Sequence, residues 1–417
     1  MTRTRLAAGT RLLITGDAVS ALGTGLVLPL TLIYLHQVRG IALPVVGLLL
    51  TSTGLVGLIA VPLTGIALDR FGARNVLTLV LTGQACAEAG LAWAHDVPTT
   101  IPAVLVLGAS LGPSFPAFQT MLAAVNRKAE AQQRAFAISF TAVNAGIGAG
   151  GAIGAAVADV AHPGSFQVLF VANALSCVIF AGLVRAVPDA RAPAATSAPP
   201  ASYRHVVAQS SLRIVLLAVL VLAFTGYAAL DSGLPAYATV EAGVSVRVVA
   251  LSITLNTAVI VGSQLLVLKL VRRLRRSRAL SAIGLIWAAS WAIFGLSALP
   301  GPSGQRIACV LAFAALFGFG ETFMAPTVAP LVNSLADDHV RGRANALVGM
   351  AYSIAFVVSP AISTAMIASG LAAAWIALLC AGCLGTAVLG RRLRHQLHER
   401  QDRIQPDAVG EAEPALP

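Results

Sequence analysis

The sequence predicts an all-α integral membrane protein with twelve transmembrane helices in two pseudo-symmetric six-helix bundles, and three observations predict it. Of its 417 residues, 57% are hydrophobic and only 11% charged, with a mean hydropathy of +0.83. Soluble chains carry about 25% charged residues, so this one cannot coat its surface with charge, and its apolar content excludes disorder. Apolar runs of about twenty residues recur along the chain, each long enough to cross roughly 30 Å of hydrocarbon. Finally, basic residues crowd alternate loops.

In chain order, runs bounded by Arg, Gly and Pro place helices near 12–36, 43–68, 75–94, 101–125, 135–158 and 166–184. A second group falls near 212–238, 247–269, 279–299, 307–332, 341–368 and 371–390. Thr2-Arg3-Thr4-Arg5 leads into an apolar run too long for the core of a signal peptide, so it opens the first span. Pro188, Pro193, Pro199 and Pro200 among Ala and Ser mark residues 185–211 as a cytoplasmic linker between the bundles 1–184 and 212–392. The polar, Pro-containing residues 393–417 read as a disordered cytoplasmic tail.

Of the 28 basic residues, 25 fall in the terminal segments and alternate loops that this parsing puts on one side, and only Arg39, Arg247 and Arg306 on the other. That is the positive-inside pattern, with both termini cytoplasmic. The net charge of +11 therefore reports topology and contact with an anionic leaflet, not nucleic-acid binding, even at Arg272–Arg276. The cysteines Cys86, Cys177, Cys309, Cys380 and Cys383 lie in apolar runs and read as packing residues. The histidines show no ligand spacing, so neither a metal nor a cofactor is expected. No phosphate-cradling Gly-x-x-x-x-Gly-Lys-Ser/Thr loop exists, so energy comes from an ion or substrate gradient and not from ATP.

The halves repeat each other faintly. Gln133-Arg-Ala-Phe-Ala137 and Gly342-Arg-Ala-Asn-Ala346 align at one offset, as do Pro116 and Pro326. Repeated bundles with a binding site at their interface are the plan of many secondary transporters. The loop Gly65-Ile-Ala-Leu-Asp69-Arg70-Phe-Gly72-Ala-Arg74 resembles the G-x-x-x-D-R-x-G-R-R signature of the major facilitator superfamily, with Ala73 replacing one Arg. Leu22-Gly-Thr-Gly-Leu-Val-Leu-Pro29 and the glycines from Gly146 to Gly154 resemble motifs of its drug:proton antiporter branch. That branch carries an Arg in the fourth helix, whereas Val104–Gly112 has none. The resemblance implies the major facilitator fold, and a conformational latch at Gly65, Asp69, Arg70, Gly72 and Arg74.

Four of the seventeen acidic residues fall within spans: Asp17, Glu88, Asp231 and Glu321. Centrally placed and unpaired, each costs about 2.5–3.5 kcal/mol on insertion scales, roughly 10–14 kcal/mol together. Lys and Arg fall only at the ends of the predicted spans and none lies deep enough to neutralise them, so they face water, one another, or a proton. In the resembled family the first, fourth, seventh and tenth helices line the cavity and the third is peripheral, which favours Glu321, Asp231 and Asp17 over Glu88. Glu321 precedes Pro326 and Pro330, whose bends suit a gating element. Tyr227 sits four residues before Asp231, on the same face of an α-helix. Gln119, Asn144 and Asn256, with Ser114 and Tyr352, complete the expected proton-coupling and substrate cavity.

These readings predict a monomeric carrier, not an enzyme, that exports small, mostly hydrophobic neutral or cationic compounds such as antibiotics in exchange for protons. The rival is a proton symporter importing a sugar or other nutrient. Arg outnumbers Lys 26 to 2, a bias that suggests a GC-rich bacterial source and hence the inner membrane.

Overall fold

A computed structural model describes residues 7–28, 30–126, 129–187, 207–336, 341–397 and 402. Among them there is no β-strand. Eleven helical spans are long and apolar enough to cross a membrane, and a first span bent by 40° makes twelve. With no water at lipid depth to satisfy backbone N–H and C=O groups, helices satisfy them internally.

In the first bundle α1 comprises Ala8–Val27 and, past the bend, Thr31–Val38, followed by α2 (Leu43–Phe71) and α3 (Ala73–Trp93). Then come α4 (Val97–Val125), α5 (Ala129–Val157) and α6 (Pro163–Ala186). The second bundle holds α7 (Ser210–Val240), α8 (Val246–Arg273), α9 (Arg276–Gly295), α10 (Ser303–Glu321 and Met324–Leu335), α11 (Arg341–Ala368) and α12 (Ala372–Arg394). All twelve expected spans are present. Several overrun their apolar windows into the basic loops, as α8 does from 269 to Arg273, because Arg and Lys are good helix formers and the extension carries the last four orphan carbonyls out toward water.

Most of the expected linker, residues 188–206, lies outside the described residues, as do 398–401 and 403–417 of the expected tail. Asp402 is pinned: it is 1% exposed, and its carboxylate accepts hydrogen bonds from the Ser277 backbone N (2.8 Å) and Oγ (2.9 Å) in the first turn of α9. A carboxylate there satisfies orphan N–H groups and meets the positive end of the helix dipole.

Both bundles have the same ring order. In the first, α1 packs on α5 and α6, α4 packs on α2 and α3, and α3 packs on α6. In the second, α7 packs on α11 and α12, α10 on α8 and α9, and α9 on α12. Glycine sets the closest approaches. Gly146, Gly150 and Gly154 of α5 lie against the carbonyls of Ala18, Leu22 and Leu26 of α1, so close that a Cβ would overlap each oxygen. Small residues permit such backbone approach between membrane helices. The intervening Gly148 and Gly151 face α8 of the other bundle, at Thr257 and Thr254.

The glycine contacts between the bundles sit at one end of the molecule. Besides α5 on α8, Gly47 and Gly54 of α2 abut Thr364 and Val357 of α11, all in the helix halves away from the basic loops. Toward the basic end the same faces are uncovered: Val61 of α2, in line with Gly54, and Phe140 of α5, in line with Gly151, are exposed. The Gly65–Arg74 loop lies at this open end. Gly72 has φ +77°, which glycine adopts without strain, and it joins α2 to α3 in a single residue.

Two predictions follow from this packing. Gly150→Val forces α5 off α1 and lowers the thermal midpoint of the purified protein by several degrees, a cost of about 1–3 kcal/mol for overpacking. Gly182→Ala, which meets open space, leaves it unchanged. Asp96 caps α4, and the Thr99 hydroxyl (2.6 Å) and backbone N–H (3.0 Å) hold its carboxyl below the usual carboxylate range. A lowered folded value means the stabilisation is complete above the unfolded value of about 3.9 and is lost as pH falls through the folded one. The gap in thermal midpoint between the parent and Asp96→Ala is accordingly constant from pH 6 to 8 and closes in acid below about pH 4.

Candidate functional site

Between the bundles lies a cavity of about 490 Å³. One side is walled by α1, α2, α3, α4 and α6, the other by α7 and α11. Its lining is mostly Leu, Val and Gly with a few hydroxyls, among them Thr24, Thr31, Thr53 and Ser353. The lining residues include no Lys or Arg, and the charged ones are Glu88 and Asp231, one from each bundle.

Glu88 is where the structure departs most from the sequence reading. It is 7% exposed and reaches inward from α3, which the ring order wedges between α4 and α6. Gly83 lets α3 close onto Ser110 of α4, and Gly23 lets α1 close onto Asn173 and Ser176 of α6. Asn173 hydrogen-bonds the Glu88 carboxylate, while Oε2 is buried without a partner. One turn earlier, the Gln84 amide donates to the Ser110 carbonyl (3.4 Å) and accepts a weak bond from Cys177 Sγ (3.8 Å). Gln84, Glu88, Asn173 and Cys177 thus form one polar wall of the cavity.

Asp231 sits in a π-helical stretch of α7, Ala223–Gly233. Gly226 and Gly233 admit the rings of Trp287 and Trp375 against the α7 backbone, and Trp291 Nε1 donates to the Thr225 carbonyl at 2.7 Å. π-turns are rare and frequently mark functional sites. The i→i+5 bonding also shifts the relative direction of residues four apart. The common wall expected for Tyr227 and Asp231 is therefore not formed: Asp231 lines the cavity, while Tyr227 turns to α10.

Glu321 ends the first half of α10 and is absent from the cavity lining. Pro326 has no N–H to offer the Thr322 carbonyl, and the helix breaks over Thr322 and Phe323. Tyr227 and Asn256 present hydrogen-bonding groups to its carboxylate. Tyr352 interacts with that carboxylate, lies 5.7 Å from the Tyr227 ring and lines the cavity, so it stands between the two.

The remaining expected residues lie off the cavity wall. Asp17 accepts a hydrogen bond from Ser139 Oγ (2.6 Å) across the α1–α5 contact. Asn144 donates to Phe140 O of its own helix (2.8 Å), which removes it from the site. Gln119 is half-buried on α4, and buried Asn256 serves Glu321. At the expected latch, Gly65 and Gly72 face open space and Arg70 lies over the Phe71 ring at 5.4 Å. The Asp69 side chain lies outside what is described, and among the described residues Arg74 Nε has no hydrogen-bond partner.

Known proteins share this architecture. The chain is 26% identical over 331 residues, 78% of its length and 80% of the other's, to the uncharacterized MFS-type transporter YttB of Bacillus subtilis (strain 168). A D-xylose-proton symporter structure superposes with a TM-score of 0.72 at 15% identity, covering 92% of this chain and 97% of that one. The nucleoside transporter NupG superposes at 0.70 and 12% identity, covering 93% and 99%. At such identities the structural likeness speaks for the fold alone. The family model described as Major Facilitator Superfamily matches residues 13–360. The chain therefore belongs to the Major Facilitator Superfamily: it is a multi-pass membrane carrier of small molecules, a secondary transporter and not an enzyme.

Proposed function

We propose that this carrier exports small, mostly hydrophobic neutral or cationic compounds, antibiotics among them, in exchange for protons. The observation that carries the reading is the cavity wall, apolar over most of its residues, with Glu88 and Asp231 and no Lys or Arg. Carboxylates in an apolar enclosure attract cations and hydrogen-bond donors and repel anions. A volume of about 490 Å³ lies within the range of small-molecule sites. The charge distribution supports cytoplasmic termini in a bacterial inner membrane, which makes the described state open to the cytoplasm, ready to load an outbound compound. Sugar import by symport would need a wall richer in amides; here Gln84 and Asn173 are its amides.

On this reading Glu88 and Asp231 hold substrate or proton in turn, while Glu321, behind Tyr352, is a proton store reached through the phenols of Tyr352 and Tyr227. In proteoliposomes, adding a lipophilic cation such as tetraphenylphosphonium releases protons from the parent carrier. Glu88→Gln and Asp231→Asn each cut that release at least tenfold, as expected when a charged hydrogen-bond partner worth about 1.5–3 kcal/mol is removed. Unchanged coupling in both variants would reject the site. Xylose uptake down an inward proton gradient, with no response to the cation, would establish symport instead.

A second measurement separates the two layers of carboxylates. Hydrophobic carbodiimide, read by peptide mass spectrometry, modifies Glu88 and Asp231 faster than Glu321 in the parent. Tyr352→Ala opens the screen and speeds modification of Glu321 several-fold. Equal rates in parent and variant would show that Tyr352 screens nothing.

A further inference from the structure

A second concavity of about 570 Å³ lies on the outer surface of the second bundle, between α7, α11 and α12 at the basic end. It is lined by Leu217 of α7, Met350 and Ile354 of α11 and Leu389 of α12, and flanked by Arg213 and Arg392. The central cavity uses the other side of α11, at Tyr352, Ser353 and Phe356, so the groove is separate from it and opens away from the bundle interface. Leu217, Met350 and Ile354 are all exposed, as suits a surface facing acyl chains.

The charges sit at one end. Arg213 is in the first turn of α7 and Arg392 in the last turn of α12, both on the basic side, both exposed. Among the described residues neither guanidinium has an ionic partner. From Arg213 the apolar wall runs along α7 to Leu220, roughly 10 Å at 1.5 Å per residue, which stays inside one leaflet of a 30 Å core.

We propose that this groove is a binding site for an anionic phospholipid of the leaflet at the basic end. Its phosphate lies between Arg213 and Arg392, and one acyl chain lies along Leu217, Met350 and Ile354. Two cations at the headgroup level, over an apolar trough one leaflet deep, match the two ends of that molecule, and basic pockets between membrane helices recognise such headgroups. Because α11 forms both the groove and the cavity wall, the lipid braces a helix that must move when the bundles rock.

The test uses the purified full-length carrier in detergent, incubated with dioleoylphosphatidylglycerol or dioleoylphosphatidylcholine, with retained lipid counted by native mass spectrometry. The parent retains the anionic lipid in preference to the zwitterionic one. Arg213→Gln with Arg392→Gln lowers that retention roughly thirtyfold, about one kcal/mol for each cation at the headgroup level. Leu217→Trp, which fills the trough, lowers retention of both lipids, while Arg391→Gln, off the groove, changes nothing. Equal retention of the two lipids, full retention in the double variant, or displacement of the lipid by inorganic phosphate alone would each overturn the proposal.

Discussion

A carboxylate at lipid depth with no basic partner is the constraint from which the rest of this structure follows. Desolvating one is expensive, and the chain carries four, each handled differently. Asp17 is tied to a hydroxyl across a glycine-tight helix contact. Glu321 is enclosed by two phenols and an amide. Asp231 opens onto the inter-bundle cavity, and Glu88 shares that cavity with half of its hydrogen-bonding capacity unused. The cost left unpaid at Glu88 and Asp231 is highest where a ligand can relieve it, the condition for differential binding between states.

The same absence of water shapes the seams. Inside a bundle, glycine lets the Cα of one helix lie against the carbonyls of the next so closely that α1 and α5 pack as one body. Between bundles, glycines of α2 and α5 meet threonine or valine of α11 and α8, in the helix halves away from the basic loops. α5 carries both kinds in a single stretch, with Gly146, Gly150 and Gly154 turned to its own bundle and Gly148 and Gly151 to the other. A helix built this way transmits motion of one seam to the rest of its bundle.

Hydropathy and the placement of Arg were enough to read the twelve spans, the six-plus-six division and the membrane-embedded class, because lipid imposes one rule on every span. The cavity was legible only in part. Asp231 was found because a carboxylate in a span is conspicuous in any parsing. Glu88 is equally conspicuous, but helix position counts against it, and its inward reach depends on Gly83, Gly23 and the ring order, which no local pattern encodes. The division between Tyr227 and Asp231 arises from a π-helical stretch stabilised by three tryptophans on α9 and α12, contacts more than fifty residues away in sequence. Asn144 looked like a cavity residue because an amide at lipid depth needs a partner; it takes one from its own helix at Phe140.

How the two layers of carboxylates relate follows from geometry. Glu88 and Asp231 come from opposite bundles, so rocking the bundles changes their separation and their access to water together. Glu321, Tyr227 and Asn256 belong to one bundle and keep their mutual arrangement as it moves, with Tyr352 between them and the cavity. On the proposed reading, the variable pair senses whether the cavity is filled, and the fixed cluster holds a proton through the movement. A cation that satisfies the variable pair removes the reason for a proton to stay there, and exchange then needs no arginine in the span: the substrate's own charge does what a buried guanidinium would otherwise do.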